Sequence, residues 1–380
     1  SMDFRFTPEQ EAFRAEVRSF IRAELPKVRE GESFTRKLAA RGWLTMSWPE
    51  EYGGKGAQHM RQLVYNEEMA YHRAPGQTMG ADRVGPTIIL FGTDDQKASF
   101  LPRIVRDEVT WCQGFSEPGS GSDLASLQTR AVRDGDSWVI NGQKIWTSNA
   151  QHADYIILLA RTDPDAPKHR GITYFLVDMK SPGITIRPLM QMTGHAGFNE
   201  VFFDDVRVPS DCVVGEVNRG WYVSTATLDF ERSGIGRVIG GLRTFEEVVE
   251  YAKKTPARET RDSTLYEVSS IRHALADVAL SFNVGRLMSY RVAWMQSQGL
   301  VPNYEASMAK TLGTELHQRM GRVAYATLGL SGQVLEGQWA PLHGQVPQTV
   351  LSSVSLTIAA GTSEINRNII ATRGLGLPRG

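Results

Sequence analysis

Two changes in hydrophobic periodicity divide the chain into three parts. In residues 1–109 apolar side chains recur at helical spacing, as in Phe13 and Val17, and the same spacing returns in residues 217–380. Between them, residues 110–216 hold short runs rich in Val, Ile, Tyr, Trp and Phe, separated by turn signals, which is typical of β-strands. The sequence therefore predicts an α+β fold: an N-terminal α-helical domain, a middle β-barrel or sandwich domain and a C-terminal four-helix bundle.

Local signals refine this outline. Thr7 followed by Pro8 and Gln10 predicts the start of a helix with a capping box. Asn141-Gly142 stands between two strand-like runs and predicts a tight hairpin, because both residue types accept a positive φ, and Asp134-Gly135 predicts a similar turn. Further strands are expected at 155–161, 172–178, 184–188 and 200–208.

Composition and charge exclude several classes of protein. The 42 Lys and Arg residues equal the 42 Asp and Glu residues, so no bulk field would attract nucleic acid or an anionic membrane. The apolar runs are much shorter than the roughly 20 residues needed to span a bilayer, and the charged N-terminus has no apolar signal-peptide core, so we expect a cytoplasmic protein. Cys112 and Cys212 are the only cysteines, which fits reduced thiols better than a disulfide framework.

Several common catalytic motifs are absent from the sequence. There is no HExxH, CxxC or P-loop, and the eight His residues are scattered, so a metal site has no local support. Gly234-Ile235-Gly236 does not continue as the dinucleotide fingerprint, because Ile239 occupies the place of its third glycine. The nucleophile elbow GxSxG of serine hydrolases is also missing.

Two segments near the start of the β region could bind a ligand. Residues 115–123 (FSEPGSGSD) combine glycines, which allow close approach of a ligand, with hydroxyls and exposed N–H groups that could hold a pyrophosphate. In residues 144–149 (KIWTSN), a period of two would put Trp146 and Ser148 on one face of a strand, which suits a planar ring system. A plain surface loop and a core Trp are the alternative interpretations of these two segments.

Six segments, in order along the chain, resemble motifs of the acyl-CoA dehydrogenases. They are 48–54 (WPEEYGG), 92–102 (GTDDQK with LP), 115–123 (FSEPGSGSD), 146–149 (WTSN), 204–209 (DDVRVP) and 361–365 (GTSEI). The resemblance extends over about residues 4–379, and the domain order α, β, α of that family is the one that the periodicity predicts.

The resemblance implies FAD as the cofactor and a CoA thioester as the substrate. In this family a carboxylate removes the pro-R α-proton while the β-hydrogen passes to the flavin as hydride, which gives a trans-2-enoyl thioester, and an electron-transfer flavoprotein accepts the electrons. The residues that match the family's FAD contacts are Gln113, Phe115, Ser116, Gly121, Ser122, Trp146, Ser148, Thr362 and Glu364.

The catalytic base departs from the family's commonest pattern. Most members carry it as Glu in a YEGT segment, but here residues 359–362 are Ala-Ala-Gly-Thr, and Ala360 cannot abstract a proton. A minority, including the isovaleryl and long-chain branches, place the Glu on the first long helix of the bundle just before an Arg. Residues 228–232 (LDFER) match that arrangement, so the resemblance implies Glu231 as the base. The implied substrate contacts are Ser122, Asp229, Arg232, Gly361 and the backbone N–H of Ala360.

Two further departures concern assembly. The family's RxxFG motif is replaced in residues 254–262 (KTPARETRD), and its QxxGGxG segment is incomplete in 326–332 (ATLGLSG). These are the segments through which one subunit reaches the FAD of its neighbour, so an α2β2 heterotetramer with a homologous chain is slightly favoured over a homotetramer. Residues 161–164 and 168–172 also resemble the α2β2 enzymes of actinobacterial sterol side-chain degradation. A bulky or branched substrate is expected because moving the base to another helix changes which part of the pocket is free. A non-catalytic or half-site subunit, and a flavin oxidase or monooxygenase, remain as alternatives.

Overall fold

The computed structural model describes residues 4–30, 32–227, 233–257 and 262–378. Its Cα atoms form two compact units. The helical unit contains the described residues of 4–30, 58–75 and 233–378, and the sheet unit contains those of 32–57 and 76–227. No helix in these ranges is both long and apolar enough to cross a membrane.

Helices dominate both ends of the chain. In the first hundred residues they are α1 (Pro8–Glu24), α2 (Phe34–Ala40), α3 (His59–Tyr71), α4 (Gly85–Phe91) and α5 (Asp94–Val105). After the strands come α6 (Gly220–Thr227), α7 (Ile235–Ile239), α8 (Leu242–Lys254), α9 (Ser269–Ser297), α10 (Tyr304–Leu328), α11 (Gln345–Leu356) and α12 (Ser363–Ile369). The predicted capping box at α1 is confirmed, because Thr7 and Gln10 exchange side-chain and backbone hydrogen bonds (2.9 and 3.2 Å).

The middle of the chain forms an eight-stranded sheet. Its strands are β1 (Trp111–Gly114), β2 (Arg130–Asp134), β3 (Ser137–Lys144), β4 (Tyr155–Arg161), β5 (Ile172–Asp178), β6 (Ile184–Leu189), β7 (Phe198–Pro209) and β8 (Val213–Val214). Their order is β6-β7-β3-β2-β4-β5-β8, and β1 pairs with β4 in parallel. The α+β class and its order of helical, strand-rich and helical parts are thus confirmed.

One predicted hairpin is wrong, and the reason is a close approach. β3 continues through Asn141 and Gly142 without turning, and its pairing with β7 shifts register there as a bulge. A Cβ at Gly142 would lie 2.4 Å from the hydroxyl oxygen of Thr129, so this glycine is needed for packing between strands. The hairpin instead turns after Asp134, where the second Asn/Asp-Gly signal predicted it.

Each unit has a hydrophobic core of its own. In the helical unit, apolar side chains of α9 and α10 such as Phe282 and Leu316 pack with those of α3, α7 and α8. In the sheet unit, residues from β3, β4, β5 and β7, among them Ile140 and Phe175, form the core. Helical spacing in the first case and alternation or continuous apolar runs in the second place these residues inside. The two cores fix the segments that carry the predicted site residues.

Candidate active site

A buried ion pair anchors the Gly- and Ser-rich loop that follows β1. Glu117, in this loop, is 8% exposed and accepts hydrogen bonds from the backbone N–H groups of Gln128 (2.6 Å) and Thr129 (2.8 Å). Lys144, the last residue of β3, is fully buried. Its Nζ donates to Glu117 Oε1 (2.8 Å) and to the carbonyl of Phe115 (3.0 Å). Side-chain contacts therefore fix the start of the loop.

Burial and mutual attraction act in opposite directions on the pKa values of this pair. Burial lowers the pKa of Lys144 to about 8, against the opposing effect of the Glu117 carboxylate. Burial by itself would raise the pKa of Glu117, but the ammonium group and the hydrogen bonds from Thr129 and Gln128 outweigh it and hold this pKa below its ordinary value. The loop is thus tied to β3 by a desolvated pair whose hydrogen-bonding capacity is largely used.

Beyond Glu117 the loop turns back and leaves its backbone open. Glu117 and Ser120 exchange two backbone hydrogen bonds (2.9 and 3.0 Å), and the Ser120 hydroxyl donates to the carbonyl of Asp123 (3.0 Å). Gly119 and Gly121 are exposed. Apart from each glycine and its two chain neighbours, no heavy atom of the described residues lies within 4 Å of the place where either would carry a Cβ. The loop therefore offers free backbone and space to a ligand.

A left-handed corner, rather than a strand, presents Trp146. β3 ends at Lys144, and Trp146 has φ 59°, so the expectation that Trp146 and Ser148 share a strand face is wrong. The corner is held because the N–H groups of Thr147 and Asn149 donate to the carbonyls of Asn199 (3.1 Å) and Gly197 (2.8 Å). These main-chain bonds fix the corner, while the side chains of Trp146 and Ser148 remain exposed.

These elements are brought together in the sheet unit and fit a flavin. The N–H of Ile145 donates to the carbonyl of Ser116 (2.9 Å), which joins the loop to the corner. The indole of Trp146 is 60% exposed, although its edge packs on Phe198, so a large flat surface is free for an aromatic ligand. Gln113 Oε1 is buried and accepts no hydrogen bond from the described residues, as expected of an acceptor waiting for a ligand donor.

The other predicted residues of the sheet unit differ in how they are presented. The ring of Phe115 is buried against Tyr174, with ring centroids 6.1 Å apart, and its carbonyl accepts from Lys144. Ser122 is exposed beside Gly121. The contacts of these residues with FAD and with the CoA chain stay predictions.

The second group of predicted residues forms a tight turn between α11 and α12. Ala360 (φ 54°) and Gly361 (φ 85°) are consecutive left-handed residues, and Ala360 is exposed. The N–H of Ala359 donates to Ser355 (2.9 Å), whereas the N–H of Ala360 donates to no carbonyl within the described ranges. An exposed and unused backbone donor is what a ligand carbonyl needs.

The turn ends at a capped helix. The Thr362 hydroxyl accepts from the N–H of Ile365 (3.1 Å) and caps α12, and Glu364 is exposed in its first turn. The side chain of Asn366 donates to the carbonyls of Gly361 and Thr362, both at 2.9 Å. Thr362 and Glu364 are therefore placed by α12, and their roles toward FAD remain expectations.

Three predicted residues cannot be located. Glu231, Asp229 and Arg232 lie in 228–232, outside the described residues. Conversely, the sequence patterns did not identify two residues that hold the site. Lys144 anchors the loop, and Lys310 donates to the carbonyl of Gly361 (2.6 Å). A Lys on the core-facing side of a strand or helix is the signal that could have found both.

Comparison with known proteins identifies the family. The acyl-CoA dehydrogenase N-terminal domain matches residues 7–108, the middle domain 112–206 and the C-terminal domain 218–375. The chain belongs to the acyl-CoA dehydrogenase family, which is FAD-dependent, and it is therefore an FAD-dependent oxidoreductase of this type.

Relatives cover the whole length of the chain. Acyl-CoA dehydrogenase IpdE1 of Mycobacterium tuberculosis is 40% identical over 97% of this chain and 98% of its own. Among solved structures, the ChsE4-ChsE5 complex from Mycobacterium tuberculosis is similar with a TM-score of 0.90 at 37% identity, covering 100% of both chains. A Tcur3481-Tcur3483 steroid acyl-CoA dehydrogenase gives a TM-score of 0.90 at 35% identity, again over 100% of both chains.

Proposed function

We propose that this protein oxidises an acyl-CoA thioester between its α and β carbons to the trans-2-enoyl-CoA. The observation that carries the proposal is the turn at Ala360, where an exposed N–H is held in a left-handed backbone beside a methyl side chain. The N–H can bind the thioester carbonyl and stabilise the enolate that develops when the α-proton leaves. This contact uses the main chain, so it does not depend on a Glu at this position.

We assign the proton abstraction to Glu231. Because Ala360 cannot act as a base, a carboxylate must come from elsewhere, and Glu231 is followed by Arg232 as in the minority branch of the family. A carboxylate desolvated against a thioester would have a raised pKa, as a general base near neutral pH needs. The family resemblance also assigns substrate contacts to Asp229, Arg232, Ser122 and Gly361.

FAD, when bound, supplies the acceptor for the hydride that leaves the β carbon. In the sheet unit, Trp146 would cover a ring face and Ser148 would hydrogen-bond near the reacting edge. Gln113 Oε1 would take a polar contact of the ring system, and Phe115 and Ser116 would line it, as the family resemblance implies. The family resemblance also assigns FAD contacts to Gly121 and Ser122, and separately to Thr362 and Glu364.

For the substrate, a bulky or branched acyl group fits best. The move of the base away from residue 360 leaves a methyl group in place of a carboxylate in the turn. One similar structure is that of a steroid acyl-CoA dehydrogenase, which supports a sterol-type acyl chain. We propose an electron-transfer flavoprotein as the acceptor, and we retain the domain boundaries 1–109, 110–216 and 217–380, near which the matched family domains begin and end.

We also propose a heterotetramer of two copies of this chain with two of a homologous chain. Residues 254–262 and 326–332 lack the family segments that reach a neighbour's FAD. Two similar structures carry two-component names, ChsE4-ChsE5 and Tcur3481-Tcur3483, which supports pairing with a different but related chain. The same departures favour, as the second candidate, a half-site subunit that completes a partner's active site.

Turnover by the FAD-loaded protein tests the proposal. Steroid side-chain, isovaleryl and octanoyl thioesters of CoA are supplied with ferrocenium as electron acceptor, and the product is identified by mass spectrometry. We expect an enoyl-CoA that has lost two hydrogens from the bulky or branched substrate. Turnover that needs oxygen and no other acceptor would instead indicate an oxidase. No turnover with any of the three, either by the chain alone or after co-expression with a homologous chain, would refute the dehydrogenase proposal.

The same preparation tests the assembly. We expect the purified chain to bind less than one flavin per subunit, as measured by its visible absorbance, and to gain flavin when co-expressed with a homologous chain. A yellow homotetramer with one flavin per subunit would contradict the heterotetramer and the half-site subunit together.

A further inference from the structure

A buried lysine lies directly beneath the turn that carries Ala360. Lys310, on α10, is 5% exposed, and its Nζ donates to the carbonyls of Gly361 (2.6 Å) and Leu356 (3.2 Å). No carboxylate of the described residues lies within ion-pair distance of it. Among the described residues, the ammonium group therefore bonds only to main-chain oxygen atoms, one at the end of α11 and one between α11 and α12.

Burying this charge is costly unless its hydrogen bonds serve a purpose. Burial and the nearby Arg237 lower the pKa of Lys310 to about 8, against the opposing effects of Glu315 and Glu364. A Met of similar length would fill the same space without desolvating a charge. What a Met cannot supply is a donor for Leu356, whose carbonyl ends α11, and for Gly361 five residues later.

The turn needs such a support because its backbone is strained. An alanine in the left-handed region costs energy relative to the right-handed one, and here Ala360 (φ 54°) is followed by Gly361 (φ 85°). The carbonyl of Gly361 accepts from both Lys310 (2.6 Å) and the side chain of Asn366 (2.9 Å). These two donors fix the peptide plane that follows Gly361, so Ala360 is held between this anchor and the end of α11.

We propose that Lys310 is a positioning residue that holds the Ala360–Gly361 turn in its left-handed form, so that the Ala360 N–H stays available to the thioester carbonyl. That the Ala360 N–H binds a thioester carbonyl rests on the proposed function. That Lys310 controls the conformation of the turn does not. Lys310 acts through the main chain and need not touch the substrate.

Hydrogen exchange tests the control of the turn without any substrate. In Lys310→Met, we expect amide exchange in the peptide 357–366 to rise about 10-fold, because the bonds that protect it open more often. Tyr290→Phe is the matched control: it removes another buried donor of the helical unit, the Tyr290 hydroxyl that bonds to Glu67 (2.8 Å), far along the sequence from the turn. It should leave exchange in 357–366 unchanged. Unchanged exchange in Lys310→Met would overturn the proposal.

Ligand binding then tests whether the Ala360 N–H contacts the thioester carbonyl. The FAD-loaded variants are titrated with trans-2-octenoyl-CoA and with the matching CoA thioether, which lacks the carbonyl oxygen. We expect Lys310→Met to bind the thioester about 10-fold more weakly and the thioether with unchanged affinity, while Tyr290→Phe binds both normally. Equal weakening of both ligands, or of neither, would overturn the role of Lys310 in presenting the N–H.

Steady-state kinetics complete the test. With the thioester that the wild-type protein oxidises, Lys310→Met should lower kcat by about 10- to 100-fold and change KM less. The reason is that a displaced Ala360 N–H would stabilise the enolate-like transition state less, and this stabilisation is larger in the transition state than in the bound substrate. A rise in KM alone would contradict this. If the wild-type protein oxidises no thioester, the proposed function fails, and the exchange experiment still decides whether Lys310 controls the turn.

Discussion

Replacing Lys144 by Met should destabilise the protein strongly. The variant removes the ammonium group that lies 2.8 Å from Glu117 Oε1 while keeping most of the side-chain volume. It leaves a buried carboxylate without its cation. The carbonyl of Phe115 also loses its 3.0 Å donor, so the start of the loop is released at two points.

The size of the effect follows from what remains around Glu117. Breaking a buried ion pair by removing one partner costs about 3–5 kcal/mol. Because the N–H groups of Gln128 (2.6 Å) and Thr129 (2.8 Å) still donate to the carboxylate, we expect the lower end, about 3 kcal/mol. Adding Glu117→Gln removes the unpaired charge, so the double variant should recover at least about 1 kcal/mol.

The dependence of this loss on pH has a definite sign. In the wild-type protein the pKa of Glu117 is lowered. The stability that the Glu117 carboxylate adds to the free energy of unfolding is therefore fully present above the ordinary carboxyl pKa, and it is lost as the pH falls through the lowered pKa. Without Lys144, burial raises the pKa of Glu117, and the N–H groups of Gln128 and Thr129 still oppose this effect, so we expect the pKa to be higher than in the wild type. The variant's deficit in the free energy of unfolding should therefore be smaller near about pH 5 than near about pH 7.5.

Equilibrium unfolding in urea at the two pH values measures these differences. Lys168→Met is the control, because Lys168 pairs with Asp123 at 2.6 Å but both side chains are about half exposed or more. We expect a change within about 0.5 kcal/mol for this exposed pair. A loss under about 1 kcal/mol in Lys144→Met, or a deficit that grows toward acid pH, would refute the reasoning.

Two further predictions concern cofactor binding and acid stability. Trp146→Ala should change the free energy of unfolding by less than about 1 kcal/mol, because Trp146 is 60% exposed. The same variant should bind FAD about 10-fold more weakly in an equilibrium titration. Unchanged FAD affinity would contradict the role of the indole. Burial would raise the pKa of Glu68, but Arg18 and Arg14 outweigh it and lower that pKa, so the stability that Glu68 contributes is lost as the pH falls below the ordinary carboxyl range. Thermal melts of Glu68→Gln should therefore fall less steeply than the wild type between about pH 5 and 3, and parallel curves would contradict this.

Local patterns predicted much of the fold. The strands 155–161 and 172–178 were predicted with the bounds that β4 and β5 have, because each is a continuous apolar run between turn signals. The capping box of α1 is likewise a contact within four residues. Such elements depend on neighbours in the sequence and can be derived from it.

Contacts between distant residues could not be predicted in this way. Asn141-Gly142 has the composition of a hairpin turn, but pairing of β3 with β7 and the approach of Thr129 decided its conformation. Lys144 bonds to Glu117 across 27 residues, and Lys310 bonds to Gly361 across 51. Hydrophobic periodicity carries no information about pairs so far apart in the sequence. The residues that hold the candidate site can therefore be identified only from the folded structure.

The most direct test of the account replaces Glu231 by Gln. The variant keeps the shape of the side chain but cannot accept the α-proton, and general-base catalysis contributes about 10²- to 10⁴-fold. With flavin content matched to the wild type by visible absorbance, we predict that ferrocenium-coupled turnover of the accepted acyl-CoA falls by at least about 100-fold. Turnover equal to that of the wild type would contradict the central claim that Glu231 removes the proton.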